Sequence, residues 1–141
     1  MTGLWKTWMT VWCWGILLFG VAFAAAVFPA TEGGARLFYH LIYWPLDHQS
    51  PWGDPALRFT AALLGAVTIG WALTIMTLVK TAYHEGKSPL WRALTASLLI
   101  WYLIDSSISV LSGVPVNAVS NSVLVGLFLV PVLGSGVLKR P

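Results

Sequence analysis

Asp105 is the residue whose chemistry most needs an explanation. It sits in "WYLIDSSISV", residues 101–110, a run that otherwise reads as membrane-buried. A lone ionised carboxylate in hydrocarbon costs about 2.5–3.5 kcal/mol on insertion scales. Partners are therefore required, and the nearby chain offers them. Ser109 lies one helical turn further along, and Asn117 and Asn121 follow beyond the short link "SGVPV". If one helix ends near Leu111 and the next begins near Pro115, Asp105 and Asn121 lie at nearly the same depth, roughly 9 Å from the helix ends at 1.5 Å per residue. Asn117 falls one turn further out on Asn121's face. Asp105, Ser109, Asn117 and Asn121 then form one polar cluster, with hydroxyls from Ser106, Ser112 and Ser120 nearby. Arg58, at the outer end of the preceding span, is a candidate further partner. Such a cluster can act as a clasp that fixes the register of a helical hairpin. It can also act as an intramembrane site for a proton, a cation or a small polar ligand, because ionisable groups inside spans are functional candidates.

Other chemistries lack their residues. None of His40, His48 and His84 falls in an expected span, so a bis-histidine haem is not supported. There is no HExxH and no P-loop, and no intramembrane histidine to activate a serine. No catalytic residues, cofactor or metal centre are therefore expected. The residual metal reading joins His40 and His48 to Asp47 or Asp54, but histidines in an aromatic loop are more commonly surface or interface groups. Cys13 is the single cysteine, which rules out an intrachain disulfide and a cysteine zinc site.

The elements that must position the cluster follow from composition. The 141 residues are 57% hydrophobic and 9% charged, whereas a soluble domain carries about a quarter charged residues. So short a chain cannot hide that much apolar surface in its own core, and lipid is the natural cover. Four runs approach the roughly 20 apolar residues of a span, at about 9–29, 57–79, 91–111 and 117–138. Pro131 lies inside the last, where a neighbour must satisfy the carbonyl it frees. The expected fold is all-α, a single membrane domain over 1–141 built as an integral four-helix bundle. Lys6, Lys80, Lys87, Arg92, Lys139 and Arg140 fall on one side, and Arg36 and Arg58 on the other. This bias places both termini in the cytoplasm. Nucleic acid is not an expected partner, since no basic stripe alternates with polar groups.

The first outer loop, 30–56, is the largest aqueous feature. Arg36 and His40 are four apart and share a helical face. With Tyr43, Trp44 and the surrounding apolar residues they suit a short interfacial helix over about 35–44, ended by Pro45. That helix is expected to anchor the bundle, with a lid or partner-docking role as the sharper alternative. Small residues at Ala62, Ala66, Gly70 and Thr74, and at Gly20 and Ala24, mark expected helix–helix contacts within the chain, with another copy or with another subunit. A competing reading of the first span is a secretory signal, from Lys6, an apolar run and "AFAAA", although the run exceeds a typical signal core.

"FPATEGGARLF", "GAVTIGWALT", "WRALTASLLIWYLIDSSISVLSG" and "NAVSNS" resemble an uncharacterised group of small four-span inner-membrane proteins of proteobacteria. The resemblance covers most of the chain. It implies the four-helix architecture and carries no catalytic residues. With that resemblance, which implies a bacterial inner membrane, the expected function is a small non-enzymatic inner-membrane protein, an accessory or structural subunit of a larger membrane assembly. The alternative is a small transporter or ligand-binding membrane protein that uses the site around Asp105.

Overall fold

The structure is a computed structural model that describes residues 2–45, 52–86 and 88–139. Lys87 and Arg140, counted in the charge bias, and Asp47 and His48, in the metal alternative, lie outside the described residues. Among the described residues the chain is helical apart from its short links, without strands. Helix α1 runs Gly3–Ala24, followed by single 3-10 turns at Ala25–Val27 and Pro29–Thr31. Helices α2 (Gly33–Ile42), α3 (Pro55–Glu85), α4 (Ser88–Leu111) and α5 (Pro115–Gly134) follow, with a last 3-10 turn at Val137–Lys139. Helices α1, α3, α4 and α5 are long and apolar enough to cross a membrane, which makes this a multi-pass membrane chain. Helix α3 continues past the apolar run to Glu85, because "KTAYHE" contains good helix formers and nothing that breaks a helix until Gly86. His84, expected outside the spans, thus lies in the last turn of α3.

The residues divide into two compact units, Trp14–Leu73 and Met1–Cys13 with Thr74–Pro141. In the first, which we call the loop-side unit, α1 and α3 meet backbone to backbone. A Cβ on Gly65 would overlap the backbone of Ala24 and lie 2.6 Å from the Gly20 carbonyl oxygen. A Cβ on Gly20 would lie 3.0 Å from the Ile69 nitrogen. Close approach of small residues is how helices associate without a water-driven force. Beside this crossing, Phe23, Ala26, Ala35 and Ala61 form a buried cluster, with Phe38, Tyr39 and Trp52 packed on it. Helix α2 lies against the last turns of α1. The Phe38 ring sits 5.1 Å from Phe19 and 5.4 Å from Phe23.

The residues of α3 buried within the chain lie beside the small-residue face, which stays open. Ala66, Gly70 and Thr74 are exposed and Ala62 is half-buried, while Ala61, Gly65, Ala72, Ile75, Val79 and Ala82 are buried. A strict four-residue spacing drifts around a helix of 3.6 residues per turn. The buried series alternates longer and shorter steps and stays on one side.

In the second, the hairpin unit, α4 and α5 are antiparallel neighbours. The link is set by Gly113, whose φ of 77° is left-handed. The Val114 N–H donates to the Ser109 carbonyl at 2.9 Å and the Gly113 N–H to that of Val110 at 3.1 Å. This is the 6→1, 5→2 pattern of a glycine-terminated helix. Pro115 then opens α5, where its missing N–H costs nothing. The start of α1 seals the other end. Pro131 has no N–H to give the Leu127 carbonyl one turn back, and the Trp8 indole N–H donates to that oxygen at 2.8 Å. The Trp12 indole donates to the Leu124 carbonyl at 3.0 Å, and its ring packs 5.1 Å from that of Phe128. Arg92 of α4 donates through Nε and Nη2 to the Leu138 carbonyl, at 3.1 and 2.9 Å.

Two contacts invite measurement in detergent by chemical or thermal unfolding. Gly65→Ala should destabilise by about 1–3 kcal/mol through overpacking. Gly15→Ala, where an added Cβ meets nothing within 4 Å, should be neutral or slightly stabilising. Trp8→Phe should cost about 1–3 kcal/mol by leaving the Leu127 carbonyl without its donor. Most of that cost should disappear in the Pro131→Ala background, where the residue at 131 regains an N–H. Equal costs in the two backgrounds would show that the indole is not serving the proline-freed carbonyl.

Candidate functional site

Helices α4 and α5 bring Asp105, Ser109, Asn117 and Asn121 together. Ser109 and Asn121 are buried, and Asp105 and Asn117 are half-buried. The hydrogen bonds have a definite direction. The Ser109 hydroxyl donates to the Asp105 main-chain carbonyl at 2.7 Å, a back-bond to the previous turn that serine favours in a helix. With its one proton spent, Ser109 Oγ accepts from Asn117 Nδ2 at 2.8 Å. The same nitrogen donates to Asp105 Oδ2 at 3.1 Å. Asn121 Nδ2 donates to Asp105 Oδ2 and also approaches Ser106 Oγ at 3.4 Å. Each amide NH2 carries two hydrogens, so both nitrogens are fully used by the carboxylate and the two hydroxyls.

This pattern follows from local sequence. The tight Gly113–Pro115 link starts α5 directly beside the end of α4, so positions equally far from the link face each other. Asp105 meets Asn121, and Ser109 meets Asn117, one turn nearer the link. The next rung inward, Tyr102 Oη with Ser122 Oγ at 2.9 Å, was not singled out from the sequence. Its signal was present, since Tyr102 lies three residues before Asp105 and Ser122 directly follows Asn121. Of the remaining serines, Ser120 bonds its own helix at the Val116 carbonyl, 3.3 Å away, and Ser112 is exposed.

Arg58 has a partner close by in the loop-side unit. Its Nε lies 3.2 Å from Glu32 Oε2 within the loop-side unit. The two atoms are buried and their geometry is not that of a hydrogen bond, so the attraction is between charges. Arg36 Nη1 lies 3.8 Å from the other Glu32 oxygen, and Arg36 Nε donates to His40 Nε2 at 3.4 Å. Glu32 was overlooked in the sequence because it precedes the helix it serves. Tyr43 stacks on Tyr39 at 6.4 Å and Trp44 is exposed. Burial, and then Tyr43, push the Tyr39 phenol above its usual range. Among the described residues, no three His, Cys, Asp or Glu side chains are grouped to hold a metal ion.

Comparison of the chain with protein-family models, with curated proteins and with solved structures finds no match.

The hairpin geometry can hold two helices in one register, because every rung pairs an α4 group with an α5 group. Asn121→Leu should destabilise the hairpin by about 1–3 kcal/mol, since it removes a donor from a half-buried acid. Asp105→Asn should be milder, because an amide oxygen can still accept from one of the two asparagines. Unfolding midpoints in detergent would check the order, and an Asp105→Asn variant less stable than Asn121→Leu would contradict it.

Proposed function

We propose that this is a small non-enzymatic protein of a bacterial inner membrane, an accessory or structural subunit of a larger membrane assembly. In this reading the four spans pack as one bundle with both termini in the cytoplasm. Helix α2 lies at the outer interface, and the chain is akin to the small four-span proteobacterial proteins it resembles. The observation that carries the reading is the closed polar network of the hairpin. The amide hydrogens of Asn117 and Asn121 are spent on Asp105, Ser109 and Ser106, which is what a register clasp requires. The apolar faces beyond it suit lipid and neighbouring helices. Examples are Ile100, Leu103, Ile104 and Ile108 on α4, and Val119 and Val123 on α5.

A second reading is favoured by one observation. Asp105 and Asn117 keep part of their surface open, as a transporter or ligand-binding site would need. Purification of the tagged full chain from membranes in mild detergent separates the two. A partner at fixed stoichiometry, retained by Asp105→Asn, supports the subunit role. A monodisperse single species with a bound small molecule that Asp105→Asn releases supports the alternative and overturns the first reading.

A further inference from the structure

Helix α2 carries three distinct stripes. Ala35, Phe38 and Tyr39 face the buried cluster of the loop-side unit, with Ala35 fully covered. Leu37, Leu41 and Trp44, spaced by four and three residues, form an apolar stripe that is 61%, 57% and 65% exposed. Glu32, Arg36 and His40, each four apart, form the polar edge between these two stripes. A helix with this pattern has its natural place at a bilayer surface, apolar stripe toward the acyl chains and polar edge toward the headgroups. The packing fixes where α2 stands along α1. Helix α2 rests on Phe19 and Phe23 of α1 through Phe38, and a Cβ on Gly34 would touch the Ala22 Cβ at 3.0 Å. It therefore lies alongside the last two turns of a membrane-crossing helix and not beyond them.

The polar edge has an excess positive charge. A single carboxylate, Glu32, sits between two guanidinium groups, Arg58 and Arg36. Arg58 lies close enough to balance it, whereas Arg36 is held loosely. Its contact with Glu32 is 3.8 Å long and its side chain is 57% exposed. Its bond to His40 Nε2, at 3.4 Å, uses the Nε–H. The terminal nitrogens of Arg36 are thus set beside an apolar stripe. Guanidinium is the group best matched to phosphate oxygens.

We propose that Arg36, positioned by His40 and by the Glu32–Arg58 pair, holds the phosphate of an anionic phosphoglyceride whose acyl chains lie over Leu37 and Leu41. One excess positive charge matches one phosphodiester, which favours an anionic headgroup over a zwitterionic one. The inference rests on the membrane placement of α2 proposed above.

Native mass spectrometry of the full chain in detergent, titrated with dioleoylphosphatidylglycerol, tests it. The wild type should retain the lipid, and Arg36→Gln should weaken binding by about 5–10-fold, the loss of one charge-assisted contact. Arg36→Lys should fall between the two. Dioleoylglycerol, with the same chains and no phosphate, should bind much more weakly, and inorganic phosphate should not displace the lipid at equal concentration. Unchanged affinity in Arg36→Gln, equal binding of dioleoylglycerol, or displacement by inorganic phosphate would each overturn the proposal. The placement of α2 is read separately. A spin label at Leu41→Cys in a Cys13→Ser background should, in phosphatidylglycerol vesicles, collide with oxygen and be shielded from a water-soluble nickel chelate. A label open to the chelate would overturn the interfacial placement itself. A shielded label with unchanged Arg36→Gln affinity would overturn only the phosphate contact.

Discussion

A polar group buried in hydrocarbon must find its hydrogen-bond partner within the protein, and this requirement explains the most specific contacts of the hairpin unit. The acid at Asp105 fixes which residues must stand opposite it on α5. The carbonyl freed by Pro131 fixes where an indole of α1 must stand. In both cases a single group that water could otherwise have satisfied dictates the position of a whole helix. The apolar residues between these points specify far less, because one branched side chain in lipid substitutes readily for another. Directional bonds set the register of α4, α5 and the start of α1, and dispersion fills the space between.

The loop-side unit solves a related problem without directional bonds. At Gly20 and Gly65 the two backbones approach so closely that no side chain fits between them. Such contact replaces the water-driven force that membrane helices lack. Next to it, aromatic rings of α1 and α2 interlock, and the Glu32–Arg58 pair ties the approach to α2 to the first turn of α3. That pair is partly buried, and its value lies more in fixing geometry than in net stabilisation, since desolvation offsets much of the attraction.

How much of this was legible in the sequence depends on how local each feature is. The existence of four long apolar helices was readable from hydropathy and charge alone. The placement of Asp105 opposite Asn121 could be counted out, because a link with one glycine and one proline leaves little freedom between the helices it joins. The contact face of α3 was not legible from a four-residue spacing of small residues. Small residues recur all round that helix, and only the position of Gly20 on α1 selects Gly65. Trp8 was missed for a similar reason. The sequence says that Pro131 strands a carbonyl, but not which helix stands close enough to serve it. Glu32, outside any apolar run, left no periodic mark of its own that would point to Arg58.

The brevity of the link between α4 and α5 has a consequence for how the chain enters the bilayer. Asp105 is synthesised before the two asparagines that serve it, with Asn121 following 16 residues later. At ribosomal speeds of about 5–20 residues per second, the acid is unaccompanied for roughly 1–3 s. A longer connection would extend that exposure and give the half-made helix time to slip back or be diverted. The tight turn at Gly113 keeps that interval close to the shortest that two facing helices allow.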